Sequence, residues 1–335
     1  MARVRSIHKS LASMLDGTFI NRKGKSGRPL LPIGHYGGVV DIGRGNALTL
    51  HTDGVGTKVL VAQKMRVFDT VGIDCIAMTV NDLICLGSEP IAILDYIALQ
   101  RENELLVEEI TKGLVEGARR AEVAIVGGET AILGDVIRGV GGNGFDLASM
   151  GVGLVRSASI IDGTAIEDGD SILGVASSGL HSNGYTLARK ALKTRSLDEK
   201  VDDLGSTLGE ALLTPTSIYV RPALDAIRRT DVHGIAHVTG GAFTKLTRLT
   251  GKRRLAFHID LPPPPPIFAF LMGEAGIAPR EMYRTFNMGV GLCLILPEKG
   301  SGKSSRAFKS AGFETFDLGT VKAGEGVHVN GVRIS

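Results

Sequence analysis

Tryptophan is absent from this 335-residue chain and tyrosine occurs five times, so aromatic platforms for single-stranded nucleic acid have little to form from. A dominant charge is missing too. Lysine and arginine number 38 against 35 aspartates and glutamates, and the net +3 is too balanced for a general nucleic-acid binder. Cysteine is rare: Cys75, Cys85 and Cys293 lie in apolar runs and form no CxxC pair. That pattern excludes a disulfide frame or thiolate zinc site and points to a reducing, cytoplasmic setting. No apolar run approaches the roughly 18 residues of a membrane helix, so no membrane partner is expected. A Walker loop is missing as well. Gly24 and Gly302 each precede Lys-Ser, but Phe19 and Pro297 occupy the positions where the first glycine belongs. No Gly-X-Ser-X-Gly elbow occurs, which weakens a hydrolase reading.

Glycine is in excess, with 45 residues, about twice the usual share of roughly 7%. The glycines punctuate apolar runs, as tight loops require. The length suits two domains, and apolar spacing divides the chain into residues 1–156 and 157–335. In the first, strands are expected over 47–50, 55–60, 90–99, 123–126 and 146–155, with helices over 69–86 and 102–121. A glycine-rich loop is expected over 135–144. In the second, strands are expected over 172–176, 236–238, 255–259, 290–296 and 315–318, and helices over 184–192, 219–229 and after Gly241. A hairpin should turn at Asn330-Gly331. The alternation indicates an α/β or α+β fold. Met150-Gly151-Val152-Gly153-Leu154 recurs as Met288-Gly289-Val290-Gly291-Leu292, once in each half. The five prolines from Pro262 to Pro266 read as a stiff surface spacer. Arg3, Arg5, Lys9, Arg22, Lys23, Lys25 and Arg28 make the N-terminus basic; a transit peptide, an arm closing over phosphates and a solvated tail all suit it.

Chemistry concentrates at a few loops. The stretch His51-Thr52-Asp53-Gly54-Val55-Gly56-Thr57-Lys58 brings acid, glycine and base together. Asp53, Asp82 and Glu129 stand at strand or loop ends, as carboxylates that share Mg²⁺ with substrate phosphates would. Gly128 precedes Glu129 in a further glycine turn. Gly54, Gly56 and Thr57 offer close backbone approach, and Lys58 is placed to meet a phosphate. Ser178, Gly179, His181, Ser182 and Asn183 join a strand to a helix N-terminus and read as an anion site. His237 precedes Thr239, Gly240 and Gly241 in a second such loop and suits acid–base or orienting work.

Together these segments resemble the phosphoribosylformylglycinamidine cyclo-ligase family. The stretches are TDGVGTK (52–58), GIDCIAMTVNDLICLGSEPIAILD (72–95), GGETA (127–131), DLASMGVG (146–153), SSGLHSNGY (177–185), LTPTSIY (213–219), DVHGIAHVTGG (231–241) and EMYRTFNMGVG (281–291). They follow family order. The chain departs from the family at the N-terminus and at Ile132-Leu133-Gly134-Asp135, where a Met-Pro-Gly turn is usual.

The resemblance implies a homodimer whose N-terminal domains pair into a β-barrel, with sandwich-like C-terminal α/β domains outside. It implies that ATP phosphorylates the formamide oxygen of formylglycinamidine ribonucleotide and that the amidine nitrogen then closes the imidazole ring. Asp53, Asp82 and Glu129 would hold Mg²⁺, Lys58 would pair with phosphate, the His181 loop would hold a phosphate, and His237 would orient the formyl oxygen or move a proton. Related families fit less well. Selenophosphate synthetase wants a reactive residue earlier than Cys75, the preceding purine enzyme is longer, and thiamine-monophosphate kinase is acidic where this chain has AHVTGG. A non-catalytic nucleotide-binding dimer would have lost the charged loop residues that are present here.

Overall fold

A computed structural model of the chain describes residues 11–335, Ser13 and Lys252 excepted. The basic N-terminus at Arg3, Arg5 and Lys9 lies outside the described residues. The first sheet comprises β1 (Arg28–Pro29), β2 (Gly38–Gly43), β3 (Asn46–Gly54), β4 (Glu89–Leu99), β5 (Ala124–Ile132) and β6 (Phe145–Arg156), in the order β1-β2-β3-β6-β4-β5. All neighbours are antiparallel except β4 and β5. Helices α1 (Val59–Met65), α2 (Asp69–Ile84) and α3 (Glu104–Ala121) belong to this half, and α3 provides the crossover that a parallel pair needs.

The second sheet is built from β7 (Ser171–Ala176), β10 (Gly234–His237), β11 (Leu255–Ile259), β12 (Val290–Leu296), β13 (Thr315–Ala323), β14 (Gly326–Val329) and β15 (Val332–Arg333). Its order is β10-β12-β7-β13-β11-β14-β15, and β8 (Lys200–Val201) pairs with β9 (Ser206–Thr207) in a separate ribbon. β12 is buried at every position, which explains its unbroken apolar run. Helices α4 (Tyr185–Ala191), α5 (Leu208–Leu213), α6 (Val220–Arg229), α7 (Pro266–Ala275), α8 (Pro279–Thr285) and α9 (Glu298–Ser310) complete this half. One apolar cluster, from Val55 and Ile76 to Leu294 and Phe308, runs through both halves.

Four local expectations give way to tertiary packing. Residues 55–60, with valines at 55 and 59, form a 3₁₀ turn and the start of α1 because Val55, Val59, Val61 and Ala62 bury together in the core. The glycine turn at 127–128 lies inside β5, where a Cβ on Gly128 would collide with Asp95. The residues after Gly241 form a 3₁₀ segment, Ala242–Leu249, and Pro266 begins α7. The Asn330-Gly331 hairpin forms as expected, with φ of 48° and 77°.

Helix α2 is buried from Val71 to Ile84 because it lies between the first sheet, α3 and the second half. It crosses α3 closely at Gly72, Gly113 and Gly117, and a Cβ on Gly113 would strike the Asp69 carbonyl. A Gly113→Ala variant should therefore lose about 1–3 kcal/mol of stability by overpacking, read from chemical denaturation. A neutral result would show that the crossing relaxes freely.

Candidate active site

Helix α2 carries a buried polar face toward the second half. Asp74 and Asn81 are seven residues apart and share that face, with Asp82 beside them. Asp74 Oδ1 accepts from the Thr216 backbone N–H at 2.8 Å and from its hydroxyl at 2.5 Å. Asn81 accepts from the Tyr219 N–H at 3.0 Å and donates to the Ser217 carbonyl at 2.8 Å. Asp82 Oδ1 meets His237 Nδ1 at 2.7 Å.

Lys58 corrects the expectation of a phosphate contact. Its ammonium is fully buried, 2.7 Å from Asp74 Oδ2, and donates to the carbonyls of His181 and Thr214 at 3.1 and 2.7 Å. Burial pushes the lysine pKa down and the aspartate pKa up, opposed by the attraction between the two charges. With three acceptors around it, Lys58 is a clamp between the halves.

The loop at residues 177–183 is also more structural than expected. Ser178 Oγ donates to the Pro215 carbonyl at 2.6 Å, and Ser182 Oγ to the Val55 carbonyl at 2.7 Å. The helix that follows is only seven residues long. His181 is fully buried with φ of +60°, and its Nε2 accepts from the Ser178 N–H at 3.3 Å. Nδ1 must then carry the proton, and it has no partner among the described residues. Burial pushes the His181 pKa well below 6.5 and so opposes a charged ring at this position. Asn183 remains partly open, close to Gly240.

His237 ends β10 and is fully buried, its ring centroid 6.4 Å from that of His181. Burial lowers its pKa despite the Asp82 hydrogen bond. The bond to ionised Asp82 fixes the proton on Nδ1, leaving the Nε2 lone pair 3.5 Å from Asn81 Nδ2. Burial opposes ionisation of Asp82, but Lys245, His237 and His51 outweigh it and hold this carboxyl well below the usual range.

His51 and Lys245 stand outside the expected site set. His51 Nε2 is 3.3 Å from Asp82 Oδ2 without hydrogen-bond alignment, and 4.0 Å from Asp53 Oδ2. Strand alternation was the available signal, since residues 51 and 53 share a face of β3. Lys245 Nζ is 4.0 Å from Asp82 Oδ2 and donates to Thr239 Oγ1. Nothing in its local sequence marks it.

The expected trio of Mg²⁺ carboxylates does not converge. Asp53, Ser149, Asp95 and Gly128 lie in register across the sheet, facing α2, whereas Glu129 is in register with Tyr96 and faces the other way. Both Asp82 oxygens face nitrogens. The ligand atoms that do gather, within 4.8 Å of one another, belong to His51, Asp53 and Asp82. Mg²⁺ prefers oxygen ligands, so this set suits it only through Asp53, whose carboxylate is about one-third exposed. One carboxylate plus nucleotide phosphates is an ordinary Mg²⁺ arrangement. Beside His51 lies an open, largely apolar hollow of about 370 Å³, lined by Phe19, Leu31, Ile33, Tyr36 and Val39.

This pairing of sheets, with a polar helix face closed between them, defines the AIR synthase related class. Its N-terminal domain description matches residues 34–155 and its C-terminal domain description residues 167–331. The hydrogenase maturation protein HypE, solved with ATP, superposes with a TM-score of 0.60 at 19% identity, over 82% of this chain and 77% of its own. Phosphoribosylformylglycinamidine cyclo-ligase of Thermococcus kodakarensis is 46% identical over 97% of this chain and 94% of its own length. That of Pyrococcus furiosus is 46% identical over 93% and 90%. The chain belongs to the phosphoribosylformylglycinamidine cyclo-ligase family.

Two outcomes test the buried seam. A Lys58→Met variant strands the Asp74 charge and should lose about 3–5 kcal/mol in chemical denaturation. Lys58→Met with Asp74→Leu should recover part of that loss. For pH, both buried histidines titrate below 6.5 when folded, so the unfolded chain binds protons first. Their stabilisation is complete above about pH 6.5 and declines as pH falls. The melting temperature should drop between pH 7 and 5, and by less in His181→Gln; equal drops would remove His181 from the account.

Proposed function

We propose that this chain, an ATP-dependent cyclo-ligase of purine biosynthesis by its family, closes formylglycinamidine ribonucleotide into aminoimidazole ribonucleotide at the Asp82–His237 centre. The carrying observation is that centre itself: a carboxylate from the first half orients an imidazole from the second. The division into residues 1–156 and 157–335 is part of this reading, since the reaction then occurs where the two units join.

In this reading ATP lays its base in the hollow beside Tyr36 and His51, and its phosphates run toward Asp53, Gly240 and Gly241. Mg²⁺ would be held by Asp53 and the phosphates, and supplies neutralisation of phosphate charge. The formamide oxygen attacks the γ-phosphorus as the bond to the ADP oxygen breaks. The amidine nitrogen then attacks the activated carbon and phosphate leaves. Such chemistry asks the protein mainly for alignment and charge. Neutral His237, its proton held on Nδ1 by the Asp82 bond and its Nε2 accepting from Asn81 Nδ2 at 3.5 Å, orients the substrate, or takes the proton lost at ring closure once Asn81 gives way. Because His237 is fully buried, substrate must part the contacts over it before it can act.

The homodimer is part of the same proposal. Leu94, Tyr96 and Leu154 lie on the face of the first sheet turned away from α2 and are 38–42% exposed. An apolar sheet face of this kind suits pairing with a second copy into a closed barrel. Leu94→Asp should shift the sedimentation of the protein to that of a single chain, and an unchanged sedimentation coefficient would refute this surface.

The direct test supplies the purified protein with ATP, Mg²⁺ and formylglycinamidine ribonucleotide and assays for aminoimidazole ribonucleotide. Product is expected, with Asp53→Asn showing at least a tenfold higher Mg²⁺ requirement. Absence of product, with thiamine monophosphate phosphorylated instead, would overturn the reading.

A further inference from the structure

We propose that Lys245 is the cation that receives the transferring phosphoryl group, a role that rests on the ATP-dependent reading above. Once Lys58 is seen to be sealed against Asp74, the centre needs another permanent charge. Among the described residues, three side chains place a nitrogen within 4.0 Å of an Asp82 oxygen: His51, His237 and Lys245. Of these, Lys245 alone offers an ammonium; the other two are imidazoles.

Its setting suits a phosphate rather than a finished ion pair. An ammonium has three donors, and among the described residues only Thr239 Oγ1 accepts from this one. Asp82 Oδ2, at 4.0 Å, balances the charge without a direct hydrogen bond. The Lys245 side chain is 11% exposed, against none for Lys58. The ammonium lies 5.8 Å from the centroid of the Tyr36 ring, which also carries the Arg248 guanidinium at 5.4 Å. Tyr36 is one wall of the hollow assigned to the base. Gly240 and Gly241, between Thr239 and Lys245, put glycine backbone against the polar side chains of Asn183 and Thr244. Lys245 therefore joins the hollow, the glycine pair and the Asp82–His237 centre.

Charge also argues for it. Asp53 and Asp82 both repel a triphosphate, while burial opposes a charge on His181 and His237. A fixed cation against Asp82 removes that repulsion and can donate N–H to an equatorial oxygen of the γ-phosphoryl group as negative charge shifts. In the step itself the formamide oxygen forms the new bond to phosphorus, and ADP leaves with the electron pair of the broken bond. Lys245 keeps its proton throughout.

The test uses the full chain with Lys245→Met and Lys245→Arg, reading turnover, denaturation midpoint, and affinity for AMP-PNP with Mg²⁺ and for adenosine. Lys245→Met should keep the midpoint and adenosine affinity but lower kcat by about 10²–10³-fold, the cost typical of removing one preorganised donor. Lys245→Arg should recover part of that rate. A kcat within threefold of the parent overturns the proposal. So does a rate loss that appears only with a lowered midpoint and that arginine does not restore. If the parent makes no aminoimidazole ribonucleotide, the substrate reading fails, and Lys245 is judged by binding. A tenfold or greater loss of AMP-PNP affinity with adenosine unchanged then supports it, and equal affinities overturn it.

Discussion

The rest of the molecule depends on the buried ion pair between Lys58 and Asp74. Two charges without solvent contact are costly to bury, and their attraction offsets that cost only when the remaining hydrogen-bonding positions are filled. Here they are filled from the other half: the carbonyls of His181 and Thr214 surround the ammonium, and Thr216 caps the carboxylate. The pair thus fixes the relative position of the two sheets, because separating the halves exposes both charges at once. It also holds His181 at φ +60°, a conformation that a side chain with a Cβ rarely adopts unaided.

A second consequence is the division of labour along α2. The helix is apolar toward the sheet and α3 but places Asp74, Asn81 and Asp82 at the seam. Asp74 and Asn81 saturate backbone groups and act as mortar. Asp82 is different, because its partners are two imidazoles and one distant ammonium. That arrangement keeps His237 in one tautomer and leaves charge to be rearranged when a ligand arrives. The stiff part and the responsive part of the seam are two helical turns apart on one helix.

Much of the fold is legible in the sequence. The unbroken apolar run of β12, the amphipathic period of α3 and the Asn330-Gly331 turn each follow from local rules, since their environments repeat at fixed spacing. Valines 55 and 59 misled because β-branched residues mark strands only when no better burial is on offer. The GGETA glycines misled for a related reason. Gly128 gives room to a neighbouring strand, and a sequence does not show whether a glycine makes way for ligand or for protein.

For the site, the sequence determined a set of candidates: the matched stretches contain Asp53, Asp82, His181 and His237, because side-chain chemistry and family order are carried by the chain itself. The three-dimensional structure decided which of them meet and in what state. Lys58 went inside, Glu129 turned to the opposite face of its sheet, and His51 and Lys245 entered the Asp82 cluster. Those outcomes depend on sheet register and on contacts between residues more than 150 positions apart, where desolvation and charge pairing are set by neighbours that local sequence does not name.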